Sequence, residues 1–229
     1  MRLTLLIASA IVLLLSNSFS VRADETVSIG GSNAVLLRPS APRASVILMP
    51  GGDGYIAAGP GGTIGKLTGN QLVRTRNAYL AHGLAVLVVD ADVNLARAVD
   101  YMVAIKRPVT VVATSKGTLR AAYGVAGGAK PDALVLTSGF LTDGSGSRQN
   151  VANILGSPRL LPRTLAHRHD SCRFTLPAGV EPFIRWAGGK ASVKWVDGGV
   201  NSGDPCQARG YHGFNGLDSE VVSIAAGFH

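Results

Sequence analysis

Hydrophobic positions along this chain fall into short unbroken runs separated by amphipathic stretches. Ala44–Met49, Leu84–Val89, Val109–Ala113 and Ala133–Leu136 are apolar or β-branched almost throughout, with no polar alternation. Strands of that kind belong in a sheet covered on both faces. Between them lie segments with helical spacing, from about Asn70 to His82, Asn94 to Ile105 and Lys116 to Val125. The first is closed by Gly83, a helix stop. A paired-strand region at Val27–Leu37 precedes this pattern. A strand at Arg163–Ala166, a helix at Leu176–Ala187, a strand at Ser192–Val196 and a helix at Leu217–Ala226 continue it. Strands alternating with helices predict an α/β fold: a mostly parallel, doubly wound sheet with helices on both faces and right-handed crossovers. Ligands of such sheets bind beyond the carboxyl ends of the strands, so strand-end residues are where chemistry is expected.

The first 23 residues follow a different pattern. Met1-Arg2 begins with positive charge, and Leu3 to Leu15 is an apolar run of about 13 residues. Polar residues and Val21-Arg22-Ala23 follow. A membrane span needs roughly 20 apolar residues, so the layout predicts a secretory signal peptide cut after Ala23. The expectation is one domain over residues 24–229, exported to the periplasm or beyond, with no membrane association after cleavage. Its length, about 206 residues, suffices for a sizeable core.

Composition adds three points. The formal charge of +8 falls to about +6 when Arg2 and Arg22 leave with the signal. The remaining basic residues are scattered, without a Lys/Arg run or interleaved aromatics, which argues against nucleic acid as a partner. The cysteines are Cys172 and Cys206, both beyond the signal. In an oxidising compartment a disulfide between them is expected in preference to two free thiols. No His/Cys/Asp cluster has metal-ligand spacing, and no metal or organic cofactor is implied.

Two nucleotide-binding patterns fail on inspection. Gly52-Asp53-Gly54 follows a strand, but Ala58-Gly59-Pro60-Gly61-Gly62 cannot open the helix that a dinucleotide fingerprint requires. Gly65-Lys66 resembles the end of a phosphate loop, yet Leu67 stands where Ser or Thr must ligate magnesium.

The turn Ala113-Thr114-Ser115-Lys116-Gly117 is more informative. It joins an apolar strand directly to a helix, the setting of a nucleophile elbow, and small residues flank the serine at both required positions. Ala113 replaces the usual glycine. A helix N-cap is the alternative role for Ser115. A nucleophilic serine needs a histidine to take its proton and an acid to orient that histidine. Asp170 follows the strand at 163–166, and His212 lies in Gly210-Tyr-His-Gly-Phe214, between the last strand and the last helix.

With Leu48-Met-Pro-Gly-Gly-Asp53, Ala113-Thr-Ser-Lys-Gly117, His169-Asp-Ser-Cys172 and His212-Gly-Phe-Asn-Gly-Leu217, the sequence resembles the α/β-hydrolase superfamily. It is most similar to the compact dienelactone-hydrolase-like bacterial members, over most of the chain after the signal. The resemblance implies a triad Ser115–Asp170–His212 in the family's chain order. It also implies an oxyanion hole formed by backbone N–H groups of Gly52 or Asp53 and of Lys116. The implied activity is that of a serine hydrolase on a small ester or related acyl substrate. A Cys172–Cys206 bridge would then join the two loops that hold Asp170 and His212.

Several residues have weaker claims. His167 and His169 precede the acid and are expected to be structural, as is His82 at a helix end. Arg74 and Arg76 could meet an anionic substrate group or remain solvated. Ser145 is expected in flexible loop, and the segment from Thr142 to Arg159 is the candidate cap over an otherwise minimal lid. Two other functions stay open: a non-catalytic binding protein on the same fold, and peptidase or acyltransferase chemistry on the same triad. Neither the substrate nor the oligomeric state can be read from the sequence.

Overall fold

A computed structural model describes residues 24–157 and 162–227, so the expected signal peptide lies outside the described residues. The chain builds an eight-stranded sheet. Strands β1 (Glu25–Ile29) and β2 (Ser32–Leu37) form an antiparallel pair at one edge. β3 (Ala44–Met49) follows, and the glycine-rich tract after it contains a two-residue hairpin, β4 (Ala58–Gly59) with β5 (Thr63–Ile64). β6 (Leu84–Val89), β7 (Val109–Thr114), β8 (Ala133–Thr137), β9 (Pro162–His167) and β10 (Ser192–Val196) complete the set. The spatial order is β1-β2-β6-β3-β7-β8-β9-β10, with β2 antiparallel to β6 and every later pair parallel.

The apolar runs of β3, β6 and β7 are buried at every position. Side chains alternate across a strand, so each run feeds two cores. Ile47, Leu87, Val111 and Leu136 face one layer, packed with α3 (Leu95–Ile105), α4 (Lys116–Ala126), α5 (Val151–Leu155) and α6 (Val180–Trp186). Val46, Val86, Val112 and Val135 face the other layer. That side carries α1 (Gln71–Arg74), α2 (Arg76–Ala81) and α7 (Asp218–Ala226). This is the doubly wound architecture expected from the unalternating strands.

Four local expectations need correction. The helix foreseen over Asn70–His82 is two short helices that meet at Thr75. There the backbone turns to φ −98°, ψ 2° and the Thr75 hydroxyl donates to the Gln71 carbonyl at 2.6 Å. Such back-bonding competes with the helical ladder. The helix foreseen over Leu176–Ala187 begins as a single 3-10 turn at Pro177–Gly179.

The described part of the proposed cap, from Thr142 to residue 157, is not a lid. Asn150 caps α5 through its side chain, and Val151, Ala152 and Leu155 enter the core beneath the sheet. Ser145 is fully buried, its Oγ accepting from the Leu141 and Thr142 amides. Its loop is therefore fixed rather than flexible.

Candidate active site

The turn after β7 has a backbone that few residues other than glycine adopt. Ser115 sits at φ 54°, ψ −128°, a combination that costs of order 1–3 kcal/mol in a non-glycine residue. Three hydrogen bonds hold it there. The Ser115 amide donates to the Thr137 carbonyl at 3.1 Å, and the Ser115 carbonyl accepts from the Thr118 amide at 2.9 Å and hydroxyl at 2.6 Å. The serine caps α4 by position, but its side chain makes no capping hydrogen bond. The hydroxyl is thus not used as an N-cap.

Small residues are needed around this turn because backbones meet there. A Cβ on Gly117 would collide with the Met49 and Pro50 carbonyl oxygens, and one on Gly51 would stand 2.8 Å from Ser115 Cβ. Ala113 faces no such demand. It lies within β7, paired with Met49 and Leu136, and its methyl group is an ordinary member of the core. The missing glycine at that position therefore does not disturb the elbow. Gly117→Ala is expected to destabilise the fold by about 2 kcal/mol, as overpacked core sites do, while Ala113→Gly costs about half that. Urea midpoints of the two variants check the contrast.

Asp170 follows β9, and its side chain is 2% exposed. A buried carboxylate must be fully bonded, and this one is. Oδ1 accepts from the Cys172 amide at 2.9 Å. Oδ2 accepts from the Thr175 hydroxyl at 3.0 Å and meets His212 Nδ1 at 3.1 Å. Thr175 Oγ1 is also 2.9 Å from His212 Nδ1. Because the single hydroxyl proton goes to Asp170, Thr175 must accept from Nδ1–H. This arrangement places the ring proton on Nδ1 and makes Nε2 the unprotonated ring nitrogen.

Thr175, bonded to both Asp170 and His212, is a residue that the sequence did not single out. If the site works as the hydrolase proposed below, Thr175 is a positioning residue: Thr175→Val is expected to lower kcat for ester hydrolysis about tenfold with KM nearly unchanged, whereas Thr175→Ser retains most of the rate. Equal kinetics for wild type and the valine variant would contradict this role.

His212 occupies a 3-10 turn, Tyr211–Gly213, and is buried to the same degree as Asp170. Ser138, just past β8, donates from Oγ to the His212 carbonyl at 2.8 Å. Arg74 holds the same loop from the other side. Its guanidinium donates to the Gly213 carbonyl at 2.8 Å, to Gly69 at 2.7 Å, and to the Asp218 carboxylate at 2.7 and 2.9 Å. Arg74 is therefore committed to the scaffold, not offered to an anionic substrate. Arg76 donates to the Val73 carbonyl and lies off the cavity wall. Neither arginine lines the cavity that holds Ser115 and His212.

Ser115 and His212 line one cavity of about 410 Å³. Gly51, Gly52 and Lys116 form its floor beside the serine. Phe140 and Phe174, stacked at 5.9 Å, form an apolar wall. The Cys172–Cys206 disulfide is formed, and both cysteines line the cavity. Asp53 is off the wall, its Oδ1 accepting from the Tyr55 amide at 3.0 Å.

Among the described residues, His82, His167 and His169 lie off the cavity wall. His167 is fully buried, stacked on Tyr211 at 4.4 Å. Its Nε2 lies 2.9 Å from the Gly198 carbonyl and its Nδ1 accepts from the His169 amide. His169 is exposed beside Asp197 at 3.2 Å. The carbonyl of His82 accepts from Arg43 at 2.7 Å.

Sheet order, elbow and strand-end loops define the α/β-hydrolase fold in its compact, dienelactone-hydrolase-like form. Solved structures agree. The chain is similar to a dienelactone hydrolase from Anabaena variabilis at 12% identity, over 92% of this chain and 96% of that one, with a TM-score of 0.58. It is similar to the esterase domain of a Rhodothermus marinus protein at 12% identity, over 91% and 98% of the two chains, TM-score 0.58. An esterase/lipase from an uncultured bacterium gives 13% identity, 91% and 83% coverage and a TM-score of 0.60. No protein-family model and no curated protein matches the chain. Identities this low carry the fold, and the chemistry has to be argued from the site.

Proposed function

We propose that this chain is an exported serine hydrolase that cleaves a carboxylic ester or related acyl bond. One observation carries the reading. A serine held at a strained positive φ shares a cavity with a histidine whose Nδ1 is bonded to a buried aspartate. Strained backbone of that kind is retained where function uses it.

In this reading Ser115 Oγ attacks the acyl carbon as His212 Nε2 takes its proton. The carbonyl oxygen becomes an oxyanion, held by the amides of Lys116 and of Gly52 or Asp53. Lys116 opens α4, so the helix dipole favours negative charge at that point. Collapse of the tetrahedral intermediate passes the proton from His212 to the departing alcohol and leaves an acyl-enzyme. Water, deprotonated by His212, then releases the acid and restores Ser115. Asp170 keeps the imidazole oriented and stabilises its charged form.

The apolar wall and modest cavity suit a small acyl group, and the esterases among the similar structures support an ester substrate. Export rests on the leader-like residues 1–23 and is supported by the disulfide. Among the described residues no helix is long and apolar enough to cross a membrane.

The test is labelling with a fluorophosphonate probe, together with turnover of short p-nitrophenyl esters. Wild type is expected to label and turn over, and Ser115→Ala to do neither. Absence of both in the wild type would favour a binding protein on the same fold. Transfer to an added alcohol or amine in preference to water would indicate an acyltransferase.

A further inference from the structure

The loop after β3 carries one side of the proposed oxyanion hole, yet it is six residues of little intrinsic stiffness, Pro50-Gly-Gly-Asp-Gly-Tyr55. Glycines let the backbone come close to substrate but also leave each peptide plane free to flip. Catalysis by backbone N–H groups needs those planes fixed in advance. Hydrogen bonds to the carbonyls do this, because in a trans peptide the N–H points opposite to the C=O.

The first three carbonyls of the turn are bound. Gly51 accepts from the Gly54 amide at 3.1 Å. Pro50 accepts from Arg120 Nη2, and Gly52 accepts from Arg120 Nη1 at 3.3 Å. Arg120 stands on α4, one and a half turns from Ser115, so the helix that presents the serine also grips the opposing loop. The contact is close: a Cβ on Gly54 would collide with the guanidinium. Asp90, buried at the end of β6, fastens the next stretch by accepting from the Ile56 and Ala58 amides.

We propose that Arg120 is a positioning residue for the oxyanion hole: its bond to the Gly52 carbonyl orients the Asp53 amide, and with its bond to the Pro50 carbonyl it holds the peptides on either side of the one that carries the Gly52 amide. The inference rests on the serine hydrolase reading above. A planar fork with two donors suits the task, because one side chain can hold two carbonyls of the same turn. Part of the guanidinium's hydration is given up for it, since burial lowers the Arg120 pKa from its usual value against the opposing pull of Asp53. The effect should be felt mainly in the transition state, where the oxygen is charged, and little in substrate binding.

The experiment compares wild type, Arg120→Met and Arg120→Lys on a short p-nitrophenyl ester, with phenylboronic acid as a tetrahedral inhibitor. For Arg120→Met, kcat is expected to fall about 10- to 100-fold with KM within about threefold. The boronate inhibition constant should rise in step with the loss in kcat. Arg120→Lys, which can reach one carbonyl, should lose about three- to tenfold in kcat. A folded Arg120→Met with kcat and boronate affinity within about twofold of wild type overturns the proposal. If the methionine variant does not fold, an unimpaired Arg120→Lys overturns it instead. A folded wild type with neither turnover nor labelling removes the hydrolase reading and this inference together. An active wild type with unimpaired variants removes this inference alone.

Discussion

Ser115→Gly is expected to abolish ester hydrolysis, with kcat falling by about 10⁴ to 10⁶, while making the protein more stable by about 1 kcal/mol. The two effects have one origin. A left-handed φ of 54° strains a serine but not a glycine. The bonds from Thr118 and to Thr137 use only the Ser115 backbone, so they survive the change. Only the Oγ is lost, and its side chain caps nothing. A stability that fell with activity would mean that the hydroxyl does structural work the geometry does not show. Denaturant midpoints and initial rates on one ester are sufficient measurements.

Removing the disulfide with Cys172→Ser and Cys206→Ser together is expected to lower stability by about 3–4 kcal/mol, the chain-entropy value for the 34-residue separation it closes. Activity should also fall, by about tenfold, at temperatures where the variant remains folded. The Cys172 amide donates to Asp170 Oδ1, and the partner cysteine belongs to the loop leading into His212. Without the bond, both loops gain freedom at the point where Asp170 and His212 must meet. Unchanged kcat alongside a large stability loss would confine the bond to a structural role. Equilibrium unfolding with parallel rate measurements distinguishes these outcomes.

The sheet was legible because its strands are buried on both faces and so appear as unbroken apolar runs. The elbow was legible because close backbone packing at Gly117 leaves a mark in residue size. Asp170 and His212 could be picked out by their position after strands and by resemblance. The residues that hold them could not. Thr175 lies 37 positions from His212, Ser138 lies 74 away, and Arg120 lies 70 from Pro50. Nothing local distinguishes these side chains from solvated ones, and the same holds for Arg74, whose partner Asp218 is 144 positions distant. The break at Thr75 was written in the sequence only as a threonine with helical neighbours. The helix α5 has a readable signal, Asn150 before the mostly apolar Val151–Leu155 and Gly156 after it, but it follows closely on Gly144-Ser-Gly146, whose glycines read as loop.

Neighbouring residues at the end of β8 hold both halves of the proposed machinery. The Thr137 carbonyl receives the Ser115 amide, and the Ser138 hydroxyl reaches the His212 carbonyl. Sideways drift of that strand end therefore carries hydroxyl and imidazole together. Their spacing is referenced to one peptide unit, not to the summed positional scatter of separate loops. In the proposed mechanism this shared anchor would preserve the alignment needed for proton transfer when the strand end shifts.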